Sequence, residues 1–246
     1  MFNIASNKLS SLKNKLNFFF SYPELSRLPI SSIESDETHL KKTIEWLCFT
    51  QDYDSSGGIP ANYNLLNKKF GKAYRETTGY IISTFIKYYE ITKNREYLDR
   101  AIKMGNWEIS VQTQEGGIGE LKDNGTIGLK IFNSGQVIFG YCSLYKTTKD
   151  ERYIDAAKKA ANWIINNQEK DGSWNNFSNN GPKTYDARVS WALLVLYSIS
   201  NNINYLNSAK KNLNWVPKQQ NANGWFKNTS LSHPQKPWTH LIAYTI

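Results

Sequence analysis

The chain has 246 residues, 40% of them hydrophobic and 21% charged, with a net charge of +9 and a pI near 9.3. That length is long for one domain and short for two, and the balance of apolar and charged residues excludes a disordered chain. No stretch approaches the roughly 20 apolar residues of a membrane span. Phe18-Phe19-Phe20 is too short an apolar core for a signal peptide, so the sequence reads as cytoplasmic. A basic surface suits an anionic partner such as an acidic polysaccharide. Lys and Arg are dispersed and not clustered, which argues against nucleic acid.

Residues 1–36 read as an N-terminal extension, followed by a repeat domain over 37–246. A first amphipathic helix is expected over 37–51, carrying Trp46 and Gln51 and ending in a Gly57-Gly58 turn. An almost wholly apolar helix follows over 80–91. Then come an amphipathic helix over 96–112, an apolar one over 136–145, an amphipathic one over 151–168, an apolar one over 188–199 and an amphipathic one over 203–220. A last apolar helix opens near Thr239. The apolar helices belong inside and the amphipathic ones outside. Short links such as Thr92-Lys93-Asn94 make αα-hairpins, and the long Gly-, Asn- and Trp-bearing links gather at the opposite end.

The pattern repeats. Trp46, Trp107, Trp163 and Trp215 are 61, 56 and 52 residues apart, each followed five residues later by Gln51, Gln112, Gln168 or Gln220 and then by glycine. A periodicity of this length marks stacked supersecondary units. The expected fold is all-α: an α/α toroid, a partial double ring of about 3.5 hairpins of 52–56 residues. A closed ring needs about six hairpins, so the chain reads as a truncated one, with an open edge that an oligomer would cover. The repeat glutamines should hold loop backbone. Trp107, Trp163 and Trp215 should sit in the core, and Cys48 and Cys142 should be buried free thiols.

This Trp-x4-Gln pattern with its following glycine resembles the repeats of the terpenoid cyclase and protein prenyltransferase toroid superfamily. It is also similar to repeat proteins of bacterial surface-polysaccharide biosynthesis. The resemblance implies a squalene-cyclase-like toroid. The cyclases' Asp-rich acid motif has no counterpart: Asp52-Tyr53-Asp54 is nearest, and it sits in a glycine turn. The prenyltransferase zinc site has none either. The same architecture hosts polysaccharide lyases, glycosidases and sugar epimerases, and fold does not fix function.

Candidate chemistry lies where the inner helices begin. One column of the repeat holds Tyr80, Gln136, Arg188 and His240, polar in every unit but different in type. Thr78, Ser134, Asp186 and Thr239, just before it, are N-cap types. His240 is a candidate general base or acid. Arg188 suits a carboxylate or phosphate. Asp186 or Glu76 would be a second acid or base, and Tyr185 or Tyr80 a proton donor. Asn133 or Gln136 would neutralise a sugar carboxylate. Trp174, Trp225 and Trp238, at the long-loop end, are candidate sugar-stacking platforms. No cofactor and no metal site is indicated. The function expected is action on, or binding of, an acidic polysaccharide or its precursor by lyase-, epimerase- or hydrolase-like chemistry. The alternatives are an isoprenoid cyclase or prenyltransferase relative, and a non-catalytic scaffold or inactive fragment.

Overall fold

A computed structural model describes residues 34–122, 124–231 and 238–246. The Phe18-Phe19-Phe20 segment lies outside the described residues. Helix α1 (Asp36–Tyr53) is followed by α2 (Arg75–Thr92), α3 (Arg95–Val111), α4 (Ile131–Thr148), α5 (Glu151–Asn166), α6 (Ala187–Ser200), α7 (Ile203–Trp215) and the short α8 (Thr239–Ala243). The inner helices α2, α4 and α6 pack side by side, and each packs against the outer helix that follows it. The result is a two-layered arc.

Local chemistry sets each hairpin. Inner helices end on Lys93, Lys149 and Asn201, all left-handed, and the next residue caps the outer helix. Asn94, Asp150 and Asn202 accept from the backbone N–H of Glu96, Arg152 and Asn204, which satisfies a donor the first helical turn leaves free. The chain thus reverses over two residues. The inner helices approach closely because glycine lets them: a Cβ on Gly79 would lie 2.7 Å from Val137, and one on Gly140 would lie 2.3 Å from the Gly79 carbonyl. Ile82, Phe85, Val137, Ile138, Leu144 and Ala157 fill the space between the layers.

The repeat glutamines clamp as expected, and they reach further. Gln112 Nε2 donates to the carbonyls of Gly116 and of Ala156 on the next outer helix, both at 3.0 Å. Gln51 and Gln168 repeat the bridge to Arg100 and Ser208. Gln220 holds only the Gly224 carbonyl. Each clamp closes a turn at a left-handed glycine, and at Gly116 a Cβ would meet the Lys159 carbonyl at 2.3 Å. Asp52 and Asp54 are structural, although Asp52 sits on the last turn of α1 and only Asp54 enters the turn that the sequence assigned to both. Asp52 pairs with both Nη atoms of Arg100, and Asp54 accepts from the N–H of Ser56 and of Ala73.

Three expectations need correction. Helices α2 and α4 begin five residues earlier than the apolar pattern suggests, because their first turns are polar but helical. Thr78 and Ser134 therefore sit inside the helix and are not N-caps: their hydroxyls accept the N–H of Ile59 and Ile118 from the preceding loop, at 2.9 Å each. The long links also carry two small antiparallel hairpins not foreseen: β1 (Tyr63–Asn64) with β2 (Lys69–Phe70), and β3 (Gly119–Leu121) with β4 (Ile127–Leu129). Trp163 and Trp215 are buried, but Trp107 only half so. Cys48 is a half-buried free thiol and Cys142 a buried one. Among the described residues, no helix is long and apolar enough to cross a membrane.

Candidate active site

The long links meet the starts of the inner helices around a cavity of about 290 Å³. One wall is acidic. Tyr74, the residue before α2, donates its hydroxyl to Glu120 Oε1 at 2.7 Å and lies 3.5 Å from Glu76 Oε2. Arg75 donates to the Gly119 carbonyl, which fastens β3 to α2 and fixes Glu120 opposite Glu76. Burial pushes the Glu76 carboxyl up to about 7, and the nearby Glu120 charge adds to the rise. Burial and the bond to Glu120 hold the Tyr74 hydroxyl well above its usual range.

A second wall comes from the third link. The N–H of Ile131, first residue of α4, donates to the Phe177 carbonyl at 3.0 Å and folds residues 177–185 over the helix start. Lys130 Nζ donates to Asn179 Oδ1 at 2.6 Å, and Asn179 Nδ2 donates to the Tyr185 hydroxyl at 3.3 Å. Phe132 stacks edge-on against Tyr185 and lies 5.7 Å from the Tyr244 ring. Tyr80, Asn133, His240 and Leu241 complete the lining. The Tyr80 hydroxyl is pushed up to about 12, by burial first and by the Glu76 charge second.

Of the residues singled out from sequence, Glu76, Tyr80, Asn133, Tyr185 and His240 are brought together in this cavity. Arg188 stands just behind it. Its guanidinium lies 4.7 Å from the Tyr244 ring centre and within 5.3 Å of those of Phe139 and Trp191. Its Nε donates to Gln136 Oε1 at 2.6 Å. Gln136 is fully buried and orients Arg188, so it is not a substrate contact.

Trp174 is no stacking platform: it is fully buried and its indole N–H donates to the Ile164 carbonyl. Asp186 is also buried and absent from the lining. Its carboxyl accepts from Ser178, and burial pushes it up to about 7. Trp225 belongs to a separate apolar groove with Leu213, Val216 and Ile242. Trp238 is exposed, 5.5 Å from the His240 ring.

Tyr74, Glu120, Lys130 and Asn179 were not foreseen, because each lies just outside a helix, in a link whose path no helical period records. Among the described residues, no group of three His, Cys, Asp or Glu is placed to hold a metal ion. The cavity offers paired carboxylates joined by a hydroxyl, two cations at hand and aromatic walls. That set suits proton transfer to and from a bound polar ligand.

The sequence profile of Glycosyl Hydrolase Family 88 matches residues 62–192. No curated protein sequence matches the chain. Solved structures do. A family 76 alpha-mannanase from Bacteroides thetaiotaomicron superposes with a TM-score of 0.62 at 18% identity, over 85% of this chain and 62% of that one. An unsaturated glucuronyl hydrolase specific for heparin gives 0.62 at 15%, over 77% and 49%. Cellobiose 2-epimerase from Bacillus thermoamylovorans gives 0.63 at 13%, over 85% and 65%. The chain spans less than two thirds of each of these structures. The fold they share is the α/α toroid.

Proposed function

Because the chain belongs to Glycosyl Hydrolase Family 88, we propose that it hydrolyses a glycosidic bond of an acidic saccharide in the cavity between Glu76 and Glu120. The observation that carries this reading is the carboxylate pair. Two glutamates from different hairpins meet at the Tyr74 hydroxyl, and burial raises Glu76 to about 7, so that it still carries a proton in part at neutral pH. A carboxyl whose burial raises its proton affinity, set beside a second carboxyl, is what a glycosidase needs as acid and base.

In this scheme Glu76 gives its proton to the leaving glycosidic oxygen as that oxygen's bond to the sugar carbon breaks. A water oxygen forms the new bond to that carbon and passes its proton to Glu120. One water is consumed, and proton exchange with solvent restores both carboxyls. The hydroxyl of Tyr74 keeps the two side chains in register. Tyr244, stacked under Arg188, offers a ring face for the apolar side of a sugar. His240, exposed at the rim, closes the mouth against the sugar's far side.

The similarity to an unsaturated glucuronyl hydrolase supports an acidic substrate, as do the +9 net charge and the placing of Arg188. An isoprenoid site would be walled with aromatics throughout. Glu76, Glu120, Lys130, Asn133 and Asn179 in the lining weigh against the cyclase alternative.

The experiment is turnover of a panel of glycosides, among them an unsaturated glucuronyl disaccharide of heparin, by wild type and by Glu76→Gln. Release of a new reducing end by wild type, reduced at least about 100-fold in the folded variant, is the expected result. Equal turnover by the two proteins removes Glu76 from the chemistry.

A further inference from the structure

One buried acid takes no part in the acid–base scheme. Glu108 lies three residues before the end of α3, the helix that packs back along α2. It is 0% exposed, and neither of its carboxyl oxygens has a hydrogen-bond partner among the described residues. The Tyr141 hydroxyl on α4 is buried in the same state, and the Glu108 charge reaches it. Tyr153 on α5, the next titratable group beyond, donates its hydroxyl to Asn106. The cation whose field reaches Glu108 is Arg75, the first residue of α2, and Glu108 is the charge that acts on Arg75 in return. A hydrophobic side chain would fill the same space at less cost, so packing alone does not account for an acid here.

Arg75 has a defined task. Ser134 and Lys130 hold Ile118 at the foot of the β3–β4 hairpin. Arg75 Nη1 donates to the carbonyl of the next residue, Gly119, one place before Glu120. Glu120 in turn accepts from the Tyr74 hydroxyl. A path of contacts therefore runs from the buried acid to the cavity wall.

We infer that Glu108 is a positioning residue for Glu120, acting through Arg75 as a latch that the proton on Glu108 keeps closed. Neutral, Glu108 makes no claim on the guanidinium, which stays on the Gly119 carbonyl. Burial favours this form and pushes the carboxyl well above the usual carboxylate range. Ionised, Glu108 competes for Arg75, and the attraction of opposite charges in a low-dielectric interior outweighs a neutral carbonyl. Arg75 then moves toward Glu108, β3 loses its hold, and Glu120 leaves Tyr74 and Glu76. Tyr141 does not answer the new charge by ionising, because burial holds its hydroxyl well above its usual range. The inference rests on the glycosidase reading only for what the departure of Glu120 means for turnover.

Backbone amide NMR of the full chain tests this without any substrate. The protein carries Glu76→Gln, so that the titration of that carboxyl near 7 does not overlap. From pH 6 to 10 the amides of Gly119, Glu120 and Leu121 should follow one curve with its midpoint inside that range, far above the ordinary glutamate value of about 4.3. Adding Glu108→Gln, which keeps the shape and removes the ionisation, should abolish the curve and leave those amides at their low-pH positions. Arg75→Met in the same background should abolish it too, with the amides displaced at every pH, because the hold on Gly119 is already gone. That second variant leaves Glu108 in place and decides the matter if Glu108→Gln fails to fold.

Amides of β3 that do not titrate between pH 6 and 10 overturn the inference, as does a curve that persists in either variant. A curve that needs both Glu108 and Arg75, in a chain whose wild type hydrolyses no glycoside, sustains the latch and sinks the glycosidase reading. Hydrolysis by a wild type whose β3 amides stay fixed does the reverse.

Discussion

Glu76 carries the most weight among single residues. Its proton affinity is raised by burial and by Glu120, so its acid form persists to about pH 7. If it is the proton donor, kcat/KM should be sustained below that value and fall tenfold per pH unit above it. A profile measured from pH 5 to 9 that stays flat to 9 would remove Glu76 from that role. Asp186 is raised as well, yet lies off the cavity. Its unfolded carboxyl titrates near about 3.9, so the folded state holds the proton more tightly. Stability is then fullest below the unfolded value and declines as pH rises towards about 7. Asp186→Asn should therefore raise Tm at pH 8 and leave it nearly unchanged at pH 4, read by thermal melts. An equal shift at both values would show that ionisation is not the cause.

The same residues show how far sequence carries. Glu76, Tyr80, Asn133 and Tyr185 were visible because they fall on or beside a repeating column at the start of an inner helix. Glu120 lies on a three-residue strand, and Lys130 and Asn179 meet across 49 positions. No periodicity encodes either placement. Trp174 misled because a loop tryptophan after glycine looks exposed, whereas the loop folds inward and gives its indole an acceptor on α5.

The hairpin is the unit that the sequence described best, at the scale of elements. Period, order and the two layers follow from the apolar and amphipathic alternation, and the clamp follows from the recurring glutamine. Ends were less legible, since polar first turns look like loops. The caps Asn94, Asp150 and Asn202 could have been found from their spacings of 56 and 52. The clamps give a graded prediction. Gln112→Ala removes two bonds, one that closes its own turn and one that joins successive hairpins, and should cost about 1–3 kcal/mol, a fall in Tm of roughly 3–8 °C. Gln220→Ala removes one exposed bond and should cost less than half as much. Equal losses in the two melts would mean that the inter-hairpin bond contributes nothing.

The described residues form an arc with the inner helix starts and long links at one end, the geometry that gathers residues from four repeats around one cavity. The chain's net charge of +9 gives it an overall field that draws anions. Screening shortens that reach to about 8 Å at physiological ionic strength. For an acidic substrate, kcat/KM should fall steadily from 20 mM to 500 mM salt, while a neutral glycoside should be indifferent. A salt response shared by both would place the effect in the protein's stability.

The most direct measurement of the central claim is the rate at which wild type and Glu76→Gln release a new reducing end from an unsaturated glucuronyl disaccharide of heparin and from neutral glycosides, with circular dichroism confirming that both proteins are folded. Turnover by wild type, reduced at least about 100-fold in the variant, is what a glycosidase site at Glu76 and Glu120 predicts. Turnover unchanged in Glu76→Gln, or no turnover of any glycoside by wild type, contradicts it.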